Sequence, residues 1–167
     1  ENDNMKVVNI YDNNGVLRAV QVEEYLKPGY IVDKYILYRD NENDDFRKIV
    51  EFDLSTNKRY EIIGFSEDNT KLFVKTNFYD NYITIYEVDP ESESRQVVYK
   101  NRYADIVDTV IALSIGFVTT DIFHPVTKKL LSTIYIDDKP RLVTLDDEFE
   151  KIMANVREDF DTNTFPV

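Results

Sequence analysis

Short apolar segments interrupted by turn residues are the feature of this sequence that most constrains its fold. The segments are rich in Val, Ile, Tyr and Phe, and Asn, Asp, Gly or Pro residues separate them every several positions. β-branched and aromatic side chains fit the surface of a pleated sheet, whereas the intervening residues suit tight turns. The sequence therefore predicts a mainly β protein built from antiparallel strands.

The predicted strands fall into three successive groups. The first group comprises residues 5–11, 16–23, 31–38 and 46–52, with a hairpin turn at Asn14 and Gly15. The second group comprises residues 60–65, 72–76, 82–88 and 96–99, and a third, partial group comprises residues 117–123, 130–136 and 141–145. The groups repeat at a spacing of roughly fifty to sixty residues, which is typical of architectures with one sheet per repeat.

Four antiparallel strands per unit is the organisation of a β-propeller blade. We therefore predict a single domain over residues 1–167, a partial β-propeller of about three blades. The blades are expected at residues 5–53 and 60–99, with a partial blade at residues 117–145. A two-sheet sandwich is the alternative that the strand pattern leaves open.

One amphipathic helix is predicted near the C-terminus, at residues 147–159. Asp146 fits the N-cap position, and the acidic residues that follow suit the positive end of the helix dipole. The apolar positions repeat at helical spacing along one face, at Phe149, Ile152, Met153, Val156 and Phe160.

Residues 101–113 are compatible with two structures. Ala104, Val107 and Ile111 could form a helix face, but the second half of the segment is dense in β-branched residues. We predict a strand for this second half.

Composition excludes several classes of function. The chain carries 20 basic and 32 acidic side chains, a formal charge of −12, so neither nucleic acid nor an anionic membrane is an expected partner. No apolar run is long enough to span a bilayer. Because there is no cysteine, disulfides, thiolate metal sites and cysteine nucleophiles are excluded. The sequence leaves the compartment open, and the cytoplasm is favoured over secretion. Residue 1 is Glu rather than Met, so we expect the gene product to begin before this residue.

No catalytic, metal or cofactor site is predicted from motifs. Ser66 lies in a Gly-Phe-Ser-Glu-Asp segment that lacks the second glycine of a nucleophile elbow, and it is interpreted as a turn hydroxyl. His124 is the only histidine and is interpreted as a loop residue. Asp40, Glu42 and Asp44 resemble a calcium loop, but the required glycine is replaced by Asp45, so we interpret the segment as a solvated acidic hairpin.

Several short motifs, in their order along the chain, resemble the propeller of the prolyl oligopeptidase family of serine peptidases. Asn69 and Phe46 depart from the family pattern, which often has Gly and Trp at these positions. The motifs are Gly15-Val16-Leu17-Arg18-Ala19, Tyr38-Arg39-Asp40, Phe46-Arg47-Lys48-Ile49, Gly64-Phe65-Ser66-Glu67-Asp68, Ile85-Tyr86-Glu87-Val88-Asp89, Ala104-Asp105-Ile106, Phe123-His124-Pro125, Lys139-Pro140-Arg141 and Leu145-Asp146.

The resemblance implies a non-catalytic role for this chain. Family members carry their Ser, Asp and His triad on an α/β-hydrolase domain after the propeller, and no residue here matches the triad. The expected function is to restrict access of short peptides to a hydrolase domain of the same parent chain. Open sheet edges at the ends of such a segment would favour self-association.

Two other functions remain open at this point. A stand-alone β-rich interaction module could use an acidic face to bind a basic partner. An acid-catalysed glycosidase would need two carboxyl groups that face one cleft, which only coordinates can reveal.

Overall fold

The computed structural model describes residues 4–106, 110–113 and 116–159. In this part of the chain, antiparallel sheets follow one another in chain order. The first sheet consists of β1 (Met5–Tyr11), β2 (Leu17–Lys27), β3 (Tyr30–Tyr38) and β4 (Arg47–Glu51). The second consists of β5 (Tyr60–Phe65), β6 (Leu72–Thr76), β7 (Thr84–Val88) and β8 (Arg95–Tyr99).

The third sheet is shorter and follows a separate strand pair. The pair is β9 (Val110–Leu113) with β10 (Gly116–Thr119), and the sheet consists of β11 (Ile122–Phe123), β12 (Leu130–Ile136) and β13 (Pro140–Thr144). The helix α1 (Asp147–Asp159) comes last. The predictions of a mainly β chain and of one C-terminal helix are confirmed.

Strand boundaries agree closely with the predictions, with two informative differences. The predicted strand at residues 117–123 is wrong as a single strand, because Thr120 and Asp121 interrupt it between β10 and β11. β2 extends beyond its predicted end at Glu23 to Lys27, since its last residues continue the ladder with β3 as far as Tyr30. The strand predicted within residues 101–113 is confirmed at β9, whereas Val107 and Phe160 lie outside the described residues.

The second sheet packs against the first through one face and against the third through the other. Leu72 and Val74 on β6 belong to a core cluster shared with Ile36 and Tyr38 of the first sheet. Phe73, which points to the opposite face, contacts the ring of Phe123 on β11 with ring centroids 5.8 Å apart. This position between two sheets explains why every residue of β6 is buried.

A second core cluster joins the second and third sheets. Its buried members are Ile83, Ile85, Ile106 and Leu130, and partly buried side chains such as Leu145 pack against them. The two clusters together make the three sheets a stack in which the middle sheet contributes apolar side chains from both faces.

Gly64 permits the close approach of β11 to β5. A Cβ atom at Gly64 would lie 3.0 Å from Cζ of Phe123, a distance tighter than nearly all Cβ contacts in proteins. We expect Gly64→Ala to lower the free energy of unfolding by about 1–3 kcal/mol through this overlap, measured by urea denaturation. Adding Phe123→Leu should recover part of the loss because it removes the overlapping ring atoms. An unchanged stability of Gly64→Ala would contradict the packing.

The helix begins as predicted. Asp146 caps it by accepting hydrogen bonds from the N–H groups of Glu148 and Phe149 at 3.0 and 2.9 Å. The hydroxyl of Thr144 on β13 donates to Glu150, which ties the first turn of the helix to the third sheet. Ile152 is more than half exposed, so only part of the predicted apolar face is covered.

Candidate functional site

Three turns at corresponding points of the three sheets share the same backbone hydrogen bond. Asp12, Ser66 and His124 open these turns, and the N–H of each donates to the carbonyl that closes its turn, at 2.9, 3.0 and 2.8 Å. Each turn also contains one residue with positive φ, namely Gly15 (79°), Asn69 (59°) and Lys128 (56°). The three turns are therefore closed in a similar way, although their residues differ and the first turn is one residue shorter than the other two.

The side chain at the first position has the same role in all three turns. Asp12 Oδ1 accepts from the N–H of Val16 at 3.0 Å, and Ser66 Oγ accepts from the N–H of Lys71 at 3.0 Å. His124 Nδ1 accepts from the N–H of Thr127 at 3.0 Å. These side chains cap the turns, which accounts for Ser66 and His124 without a catalytic role.

Ser66 and His124 also lack the contacts of a catalytic pair. The Ser66 hydroxyl donates to Asp68 Oδ1 at 2.6 Å rather than to an imidazole. Because His124 Nδ1 accepts hydrogen bonds from its own turn, it is held in place by backbone and not by a carboxylate. The arrangement does not resemble a serine nucleophile with its base.

A buried arginine supports the first of these turns. Arg18 Nη1 lies 3.1 Å from Asp12 Oδ2, and both side chains are less than a tenth exposed. Arg18 also donates to the hydroxyl of Tyr38 at 2.7 Å and to the carbonyl of Arg39 at 2.9 Å. Its guanidinium lies over the ring of Phe65, so this charge contacts the second sheet as well.

The turns of the first two sheets are joined directly. The N–H of Asn13 donates to Asn69 Oδ1 at 3.0 Å, and its side-chain amide donates to the Ser66 carbonyl at 2.8 Å. Because Asn69 is held in a left-handed conformation, its side chain can reach the neighbouring sheet. These contacts fix the relative position of the loops at this end of the stack.

An acidic cleft of about 300 Å³ lies between those loops. Arg18, Lys71 and Tyr38 line it, and the surrounding loops contribute four carboxylates, so acidic side chains outnumber basic ones four to two. The carboxylates are Asp40 from the β3–β4 loop, Asp68 from the β5–β6 turn, and Asp89 and Glu91 from the β7–β8 turn. We call this feature the acidic cleft, and it is the candidate site that best fits a cationic group.

The chemistry of the cleft does not favour glycoside hydrolysis. Hydrogen bonds from Ser66 and Thr70 lower the pKa of Asp68 to about 2. Hydrogen bonds from Ser92 and from nearby backbone N–H groups likewise lower the pKa of Asp89. A glycosidase needs one carboxyl group whose pKa is raised so that it can donate a proton, and these two shifts have the opposite sign.

In the segment that resembled a calcium loop, Asp40 and Asp44 bind groups of the same hairpin. Asp40 pairs with Arg47, and Asp44 Oδ2 accepts from the N–H of Asn41 at 3.1 Å. Within residues 4–106, 110–113 and 116–159, no group of three or more His, Asp or Glu side chains is arranged to hold a metal ion.

A second buried ion pair joins the second and third sheets. Lys75 Nζ lies 2.6 Å from Asp121 Oδ2, and the two side chains are 2% and 1% exposed. Lys75 also contacts the hydroxyl of Thr120 at 3.0 Å, and Thr133 donates to Asp121 Oδ1 at 2.8 Å. Since this cluster is closed to solvent and its polar groups bind one another, it holds the sheets together and offers no access to a ligand.

Neither buried ion pair was predicted from the sequence. The sequence does mark the Lys75–Asp121 pair, because Lys75 follows three apolar residues within a predicted strand. Arg18 and Asp12 carry no such signal, since charged residues are common beside a turn.

Comparisons of the chain with models of known protein families, with curated proteins and with solved structures find no match in any of the three. Among the described residues, the helix is too short and too polar to cross a membrane.

Proposed function

We propose that this chain is a run of consecutive β-propeller blades with a non-catalytic role, which in the parent protein restricts access of short peptides to a hydrolase domain. Two observations support the propeller. Four-stranded antiparallel sheets follow chain order, and adjacent sheets pack face to face through shared apolar clusters. The peptidase role rests on the resemblance of short motifs to the prolyl oligopeptidase family.

The open face of the first sheet is the observation that carries the proposal. Ala19 and Ile36 point toward the second sheet, so the alternating residues of β2 and β3 point away from it. The strand register places Val7, Val22 and Tyr35 side by side on this outer face, where Val7 is half exposed and Val22 is buried by its neighbours. An apolar sheet face of this kind is the surface on which a further blade would stack.

We expect the isolated chain to self-associate through this face. Val7 is 49% and Tyr11 54% exposed. The double variant Val7→Lys with Tyr11→Lys should therefore reduce concentration-dependent association, measured by sedimentation velocity. Val126→Lys is the matched control because Val126 is exposed in a turn, away from the first sheet. A wild-type chain that stays monomeric at high concentration would argue against an unfilled stacking face.

A second candidate function is a stand-alone module that binds a basic partner in the acidic cleft. It is favoured by the convergence of four carboxylates from three loops on one cavity. The reading frame beyond residue 167 distinguishes the two functions. A Gly-x-Ser-x-Gly elbow followed by Asp and His supports the peptidase role, whereas a stop codon directly after Val167 favours the binding module.

A further inference from the structure

β4 forms an open edge of the first sheet beside a groove. No strand of the described residues pairs with the outer side of β4. A groove of about 320 Å³ runs along this edge, between β4 and the β7–β8 part of the second sheet. An unpaired strand edge presents N–H and C=O groups that can bind an extended peptide.

The walls of the groove combine apolar and aromatic side chains with charged ones. Ile49 and Val50 line it from the first sheet, and Tyr60, Tyr79 and Val88 line it from the second. Tyr79 is 44% exposed, although its ring packs edge-on against Tyr86 at 5.5 Å. The groove therefore offers an exposed aromatic contact at Tyr79, within a lining that also carries charge.

The second sheet extends past the first at this point. Tyr86 packs in the core shared with the first sheet, and its neighbour across the ladder is Val97 on β8. Val97 therefore points to the same side as Tyr86, but it is 50% exposed because no strand follows β4. One added strand beside β4 would cover this region.

The groove also contains an available cation. The Arg95 guanidinium lies over the ring of Tyr79 at 4.0 Å, and no carboxylate among the described residues pairs with it. Arg47, on the opposite wall, differs because it binds Asp40 and the carbonyl of Pro90. A guanidinium held flat by an aromatic ring is well placed to bind one carboxylate of a ligand in a bidentate manner.

We propose that this groove binds an extended segment of a partner protein, which pairs with β4 as a fifth strand. The segment places a large apolar side chain against Tyr79 and an Asp or Glu two residues away against Arg95. The spacing follows from strand geometry, since residues i and i+2 point to the same face. Glu91 and Glu93 also border the groove, so the remaining residues of the segment are uncharged.

The orientation of the β4 backbone shows which group the added strand can use. The N–H of Phe52 donates to the carbonyl of Lys34, so it points toward β3. N–H groups alternate in direction along a strand, and that of Glu51 therefore points outward. Replacing Glu51 by Pro removes this outward donor while leaving the inward hydrogen bonds of β4 in place.

The test uses the blocked hexapeptide acetyl-Thr-Val-Phe-Thr-Glu-Thr-amide and the ¹⁵N-labelled chain in an NMR titration. We expect saturable shifts of the amides of β4 and β8. Replacing Glu by Gln in the peptide, or Arg95→Ala in the chain, should weaken binding about tenfold, the effect of losing one charge-assisted contact. Glu51→Pro should weaken binding to a similar degree without loss of fold.

Gln96→Ala is the matched control, because Gln96 neighbours Arg95 but points to the opposite face of β8. It should bind the peptide as the wild type does. Equal affinity of Arg95→Ala and wild type, or shifts confined to other strands, would overturn the proposal. Dimerisation that protects the β4 amides and blocks the peptide would also overturn it, by identifying the occupant as a second copy of the chain.

Discussion

Lys75→Met is expected to lower the free energy of unfolding by about 3–5 kcal/mol, because it leaves the carboxylate of Asp121 buried without its cation. The two side chains are almost completely enclosed, and their charged atoms lie 2.6 Å apart between the second and third sheets. The methionine side chain has a similar length, so the packing changes little. The loss of stability therefore measures the effect of removing the positive charge. Urea denaturation followed by far-UV circular dichroism measures it.

Two further variants separate the ion pair from simple packing. The double variant Lys75→Met with Asp121→Leu removes both charges, and it should recover most of the lost stability since an apolar pair can replace a buried ion pair. Lys71→Met is the exposed counterpart, because Lys71 pairs with Glu87 at 3.0 Å on the surface of the same sheet. It should change stability little. A loss from Lys75→Met no larger than that from Lys71→Met would show that the pair is not buried in solution.

The positions of most strands could be predicted because they depend on local patterns. β1, β5, β6 and β12 begin and end at the predicted residues, since β-branched and aromatic runs there are bounded by turn residues. The break between β10 and β11 could not be predicted in this way. Thr120 and Asp121 leave the strand to reach Lys75, a partner that lies more than forty residues earlier in the chain.

The similarity of the turns that Asp12, Ser66 and His124 open could not be predicted from the sequence either. Asp12, Ser66 and His124 differ in charge, size and chemistry, so no motif relates them. Their shared role requires only an acceptor atom that can reach N–H groups a few residues later. The backbone requirement is conserved between the sheets while the residue type is not, and for this reason Ser66 and His124 first had to be weighed as catalytic candidates.

The acidic cleft was predictable only in part. The acidic character of the loop at residues 39–46 is evident from its sequence, as is that of the turn at residues 89–94. Their convergence depends on the stacking of two sheets and on the contact between Asn13 and Asn69. Neither can be derived from the order of residues alone, because both depend on how separate hairpins pack.

Asp12→Ala is expected to lower the free energy of unfolding by about 3–5 kcal/mol, because it leaves the guanidinium of Arg18 buried and unpaired. The variant also removes the acceptor for the N–H groups of Asn14 and Val16, at 2.9 and 3.0 Å, so the first turn loses its cap. Both effects act on the wall of the acidic cleft. Thermal or urea denaturation measures the stability, and NMR shifts of residues 66–71 report whether the neighbouring turn moves.

Asp53→Ala serves as the matched control for the turn contribution. Asp53 also caps a turn, by accepting from the N–H of Ser55 at 2.9 Å, but it has no buried arginine beside it. Its replacement should cost much less stability than that of Asp12, and the difference between the variants measures the buried pair. Asp12→Asn should fall between them, since the amide oxygen keeps the turn hydrogen bonds but not the charge. If Asp12→Ala and Asp53→Ala destabilise the chain equally, Arg18 does not depend on Asp12 for its burial.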